Sequence, residues 1–237
     1  METPRPRLDD LQYKGLFLYQ RADLPRFAQD AVLLAAFADL TARDRAVDLG
    51  AGTGALAVLC GARTGAAFVC VEKEEALCAL LRRTAAYNGL NLPVHCMDWA
   101  DAPAALGRGT FTAALCNPPY YAAGTQSPDP ARAAARGGRN ALKGAVSAAA
   151  KLLQNGGRLY LCYPAERLTD ALVLLRGTGL EPKRLRLAAE NAGAAPYLAL
   201  ICARKGGRPG MKTEPLLFLR DEQGRDSAEL RKIYHME

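Results

Sequence analysis

At 237 residues, half of them apolar, the chain is long enough for one sizeable buried core and too short for two full domains. No apolar run approaches the ~20 residues of a membrane-spanning helix, and the first 30 residues lack the apolar stretch of a secretory leader, so a cytoplasmic protein with no membrane partner is expected. Net charge is +7, and it is unevenly spread: residues 120–237 hold 19 Lys+Arg against 11 Asp+Glu, while residues 1–119 hold 12 against 13.

In chain order, Phe27–Leu40 reads as a helix with a broad apolar face of Val32, Leu33, Leu34 and Phe37. Arg45–Leu49 reads as a strand that turns through glycines into a helix at Ala55–Ala62. A strand at Ala67–Val71 and a helix at Glu74–Tyr87 follow, the helix stopping at Asn88-Gly89. Pro93–Met97 and Phe111–Cys116 are strands. Ala131–Leu153 is mostly helical and stops at Asn155-Gly156-Gly157, ahead of a strand at Arg158–Tyr163. A helix at Ala165–Arg176 and strands at Arg184–Ala188 and Tyr197–Ala203 complete the set. This alternation predicts an α/β fold: a Rossmann-like, seven-stranded, mainly parallel sheet with helices on both faces. The expected organisation is one domain over residues 1–237. Residues 1–44 form an extension and helix, 45–203 the core, and 204–237 a polar tail.

The seven cysteines are odd in number and contain no CxxC pair. With His95 and His235 the only histidines, no Cys/His zinc spacing can be assembled. They are expected to be core hydrophobes in a reducing compartment, and no metal is expected.

The segment Asp48-Leu-Gly-Ala-Gly-Thr-Gly54 places Gly50 and Gly52, with Ala55, in a glycine-rich loop after a strand, and Glu72 lies 22 residues beyond Gly50. That pattern alone also fits a dinucleotide, because glycines let backbone N–H groups approach a ligand and an acid after the second strand can meet ribose hydroxyls. Asp48 and Asp98 separate the two possibilities. Three acids around one ligand suit a cationic sulfonium amino acid and would repel a pyrophosphate, so S-adenosylmethionine (SAM) is the expected cofactor. Gly54 completes the loop.

After the fourth core strand comes Asn117-Pro118-Pro119-Tyr120. The lone pair of a planar amino nitrogen is delocalised. Hydrogen bonds from that –NH2 to the Asn117 side-chain oxygen and the Pro118 carbonyl would draw it toward tetrahedral geometry and stabilise developing positive charge. Two prolines stiffen the loop and bring no N–H donors of their own. Tyr120 offers a ring on which an extruded base can stack, worth roughly 1–3 kcal/mol. The basic half downstream suits a polyanion, with Arg132, Arg136, Arg139 and Lys143 as the expected RNA-binding residues.

These motifs, with Gln29-Asp30-Ala-Val-Leu-Leu34, Gly156-Gly-Arg-Leu-Tyr160 and Glu214-Pro-Leu-Leu217, resemble the bacterial valine-tRNA adenine-N6 methyltransferases, which modify the adenine beside the anticodon. The resemblance implies a class I methyltransferase fold and an RNA substrate, most simply tRNA; a monomer is the favoured state. It also implies that the Gln29/Asp30 region lies by the methionine end of SAM, Glu72 by the ribose and Asp98 by the adenine. One departure is Arg136-Gly137-Gly138, where relatives commonly carry Arg-His-Glu. Protein glutamine-N5 methyltransferases share the Asn-Pro-Pro-Tyr motif, but they carry a helical domain before the cofactor loop, and here Asp48 is reached after 47 residues. Ribosomal-RNA guanine-N2 and DNA adenine enzymes are further alternatives.

Overall fold

The computed structural model describes residues 4–25, 27–119 and 130–234, with residues 130–139 by backbone alone. A short antiparallel hairpin, β1 (Arg7–Asp10) and β2 (Phe17–Gln20), precedes helix α1 (Gln29–Phe37). The alternating core follows as β3 (Arg45–Leu49), α2 (Ala55–Thr64), β4 (Ala67–Glu72), α3 (Glu75–Tyr87), β5 (Val94–Cys96), α4 (Ala102–Ala105) and β6 (Phe111–Cys116). Beyond it lie α5 (Pro130–Leu152), β7 (Leu153–Pro164), α6 (Leu168–Gly177), β8 (Leu180–Ala189) and β9 (Leu198–Lys205).

Seven strands form the core sheet in the order β5-β4-β3-β6-β7-β9-β8, and β9 alone runs antiparallel to its neighbours. In β3 every residue after Arg45 is buried, as expected of a central strand covered by helices on both faces. Side chains divide between two cores with period two. Tyr160 and Cys162 of β7 join α1 and α2 on one face, while Leu159, Leu161 and Tyr163 join α5 and α6 on the other. The chain runs outward from β3 through β4 to β5, then crosses to β6 on the opposite side. The carboxyl ends of β3 and β6 therefore flank the point where strand order reverses, and such a point opens a crevice for ligands.

The seven-stranded expectation holds for the core, but the segment after residue 203 is folded. Two two-residue strands, β10 (Lys212–Thr213) and β11 (Leu217–Phe218), pair in parallel with β8 and extend the sheet to nine strands. Helix α7 (Ala228–Ile233) follows, capped by the Ser227 hydroxyl accepting from the Leu230 N–H at 3.0 Å. Leu217, Leu219 and Leu230 anchor this segment in the core, and the ion pairs Arg184–Glu214 at 2.7 Å and Arg186–Glu229 at 2.8 Å tie its outer side to β8.

Candidate active site

A cleft of about 810 Å³ opens at the carboxyl ends of β3, β4 and β6, within the size range of cofactor sites. Gly50, Ala51, Gly52 and Thr53 form its floor, and Glu72, Lys73 and Glu74 one wall. Asp98 and Trp99 form a second wall, and Asn117, Pro118 and Pro119 the lip. Pro25, Phe27, Ala28 and Asp30 close a further side. Among the described residues, four acids against one lysine make the lining suited to a cation.

Gly50, Gly52 and Gly54 all have left-handed φ, at +75°, +57° and +97°, which side-chain-bearing residues adopt only with strain. A Cβ on Gly50 would lie 3.2 Å from the Trp99 ring, and one on Gly54 the same distance from Leu81. Gly54 starts α2 and is not part of the cleft lining.

The Glu72 carboxylate is held by three backbone donors. Oε2 accepts from Gly52 N–H at 2.9 Å, and Oε1 accepts from Lys73 and Glu74 N–H at 2.8 and 3.0 Å. It is thereby locked to the loop and still borders the cleft. Asp98 is exposed, and its Oδ1 accepts from Ala100 N–H at 2.8 Å, which fixes its direction and leaves the second oxygen outward. Trp99 was not anticipated from sequence. It packs against Gly50 and against Gly144 of α5, where a Cβ would approach its indole nitrogen to 2.6 Å. Without that Cβ, α5 can sit close to the cleft.

Asp48 and Gln29, expected at the cofactor, lie outside the lining as well. Asp48 is fully buried beneath the loop and is not part of the lining; neither carboxylate oxygen has a hydrogen-bond partner. Burial, with the Glu72 charge adding to it against the pull of the Ala57 backbone, pushes its pKa up to about 7. Gln29 is also outside the lining, because its side chain is hydrogen-bonded to the Tyr234 hydroxyl at the end of α7. Asp30, its neighbour, does border the cleft. The four expected RNA-binding positions, 132, 136, 139 and 143, all fall on α5. Lys143 is exposed, and the side chains of Arg132, Arg136 and Arg139 lie outside the described residues, as does Tyr120.

At the lip, the Asn117 side-chain oxygen accepts from the Cys162 thiol at 3.1 Å. Cys162 lies on β7, which is paired with β6 in the register Cys116↔Leu161, so the thiol supports the lip from the adjacent strand.

The sheet order, the glycine loop and the acid-lined cleft define a class I SAM-dependent methyltransferase. The methyltransferase small domain family matches residues 12–171. A tRNA1(Val) (adenine(37)-N6)-methyltransferase of Shewanella halifaxensis is 31% identical, covering 73% of this chain and 71% of its own. One of Dickeya chrysanthemi is 27% identical over 98% of this chain and 94% of its own. Another, of Shewanella amazonensis, is 38% identical over 45% of this chain and 46% of its own. Among solved structures, a predicted O-methyltransferase from Agrobacterium tumefaciens superimposes with a TM-score of 0.71 at 21% identity, covering 87% of this chain and 95% of that one, a likeness of fold. The chain belongs to the methyltransferase small domain family and, within it, to the tRNA1(Val) (adenine(37)-N6)-methyltransferases. Its cofactor is SAM.

Proposed function

We propose that this protein methylates the N6 amino group of the adenine beside the anticodon of a valine tRNA, in the cytoplasm. The observation that carries the reading is the Asn117-Pro118-Pro119 lip on the same cleft as the acid-lined glycine loop. The residues fit SAM: Gly50 and Gly52 keep the floor free of side chains, Glu72 is oriented for ribose hydroxyls, and Asp98 for the adenine amino group. Asp30 faces the ammonium end, and the buried Asp48 adds negative potential from below. When bound there, SAM supplies an electrophilic methyl group on a cationic sulfur.

The chain's own part is positioning and charge stabilisation. The Asn117 side-chain oxygen and the Pro118 carbonyl accept the two hydrogens of the target amino group. That localises the nitrogen lone pair and stabilises positive charge as the nitrogen is alkylated. The Cys162 thiol holds the Asn117 amide in one orientation. Tyr120 stacks on the extruded base, and Arg132, Arg136, Arg139 and Lys143 meet phosphates of the RNA.

The test is labelling of RNA from a strain lacking the gene with the purified enzyme and tritiated SAM, followed by nucleoside mass spectrometry. N6-methyladenosine in the valine tRNA is expected. Label in N2-methylguanosine, or in protein glutamine, would overturn the reading.

A further inference from the structure

Outside the cleft, α3 and β5 bring together three side chains with metal-binding atoms. A carboxylate oxygen of Glu75 and the sulfurs of Cys78 and Cys96 all lie within 4.8 Å of one another. Glu75 and Cys78 are three residues apart on the first turn of α3 and so project to one side of it. Cys96 ends β5 in register with Glu72 of β4, which faces it against that turn. Both scaffolds are regular secondary structure, and the 17 residues between the two cysteines hide the set from any reading of spacing.

We propose that Glu75, Cys78 and Cys96 form a binding site for a thiophilic divalent cation of the Zn2+ class. Two sulfurs and one carboxylate make a borderline donor set. Mg2+ and Ca2+ prefer oxygen alone, and Cu(I) prefers sulfur alone. Burial is graded across the set, with Cys78 inside, Cys96 half-buried and Glu75 at the surface. The exposed side therefore leaves a fourth, tetrahedral position to water.

Two features oppose binding. Arg82 Nη1 lies 3.2 Å from Glu75 Oε1, but the two side chains are 48% and 73% exposed, and such a pair holds the carboxylate weakly. Burial also raises the Cys78 pKa to about 12, and the cation must displace that proton. The thiols at present donate to the carbonyls of Glu72 and Lys73, at 3.2 and 3.8 Å. Glu72, Lys73 and Glu74 form a wall of the cofactor cleft. An ion here would pin the outside of the turn whose inside faces SAM.

The experiment is titration of the reduced, full-length, metal-free protein with Co2+, read as the thiolate-to-metal charge-transfer band in the near ultraviolet, with displacement by Zn2+. One equivalent is expected. Cys78→Ser and Cys96→Ser should each abolish the band, and Glu75→Gln should weaken Co2+ binding roughly 10- to 100-fold, with SAM binding retained as evidence of folding. If buried Cys78 does not tolerate serine, Cys96→Ala carries the test. Absence of a band, a band that survives in the cysteine variants, or a Cys78–Cys96 disulfide found by mass spectrometry in place of bound metal would overturn the proposal.

Discussion

Asp44 and Asp48 sit at opposite ends of β3, both buried, and the protein treats them in opposite ways. Asp44, on the amino side of the sheet, accepts from the Thr41 N–H and hydroxyl at 2.8 and 3.1 Å. It also accepts from the Thr112 hydroxyl at 2.8 Å and the Arg158 guanidinium at 2.7 Å. Burial acts to raise its pKa, and these bonds, led by Thr112, outweigh it and leave the group below its ordinary value. Asp48, under the glycine loop, has no such donors and rises to about 7. The contrast separates a foundation, where every charge is met by the chain itself, from a binding edge, where negative potential is left for a cation to answer.

Substitutions on either side should sharpen that division. The largest effect is expected at the lip: Asn117→Ala should lower kcat by on the order of 10²–10³, with SAM affinity by calorimetry and thermal stability nearly unchanged. A comparable loss of SAM affinity would mean that Asn117 belongs to cofactor binding. Next comes Asp48. The folded protein holds this proton more tightly than the unfolded chain, so the contribution of Asp48 to stability is greatest below pH 3.8 and falls as pH rises toward about 7. Between pH 5 and 8, Asp48→Asn should gain roughly 2–3 kcal/mol relative to the parent in denaturant melts. Parallel curves for parent and variant would break the comparison at its binding edge.

At the foundation, Asp44→Ala should cost roughly 1–3 kcal/mol by orphaning the donors of Thr41, Thr112 and Arg158, while the folded fraction binds SAM as before. The smallest effect is expected from Cys162→Ala. Losing one weak donor to Asn117 should reduce kcat about two- to fivefold with KM for SAM unchanged, and a serine at that position should recover most of the loss.

How legible the molecule is depends on whether a feature is local. The strand–glycine–helix unit around Gly50 and the lip at Asn117 are continuous in sequence, and their residue types are dictated by backbone conformation and hydrogen bonding. The hairpin β1–β2 was missed because two of its three left-handed turn positions are Gln12 and Lys14, at φ +54° and +50°, which leave Gly15 as the one turn residue the sequence displays there. The tail was read only as polar because its strands are two residues long and its buried leucines, Leu217, Leu219 and Leu230, follow no sustained apolar period. Gln29 was misplaced since its partner, Tyr234, lies some 200 positions away. Trp99 escaped notice because only the folded chain puts it over Gly50 and Gly144.

The docking of β10 and β11 along β8 carries one further consequence. These four residues cover a flank of a ten-residue strand whose other side is already paired with β9. A chain ending at Lys205 would keep its cleft, yet would expose a ready template for another copy's backbone. Its failure in the cell should therefore be one of solubility, with inclusion bodies and chaperone capture preceding any loss of specific activity in the molecules that remain dispersed.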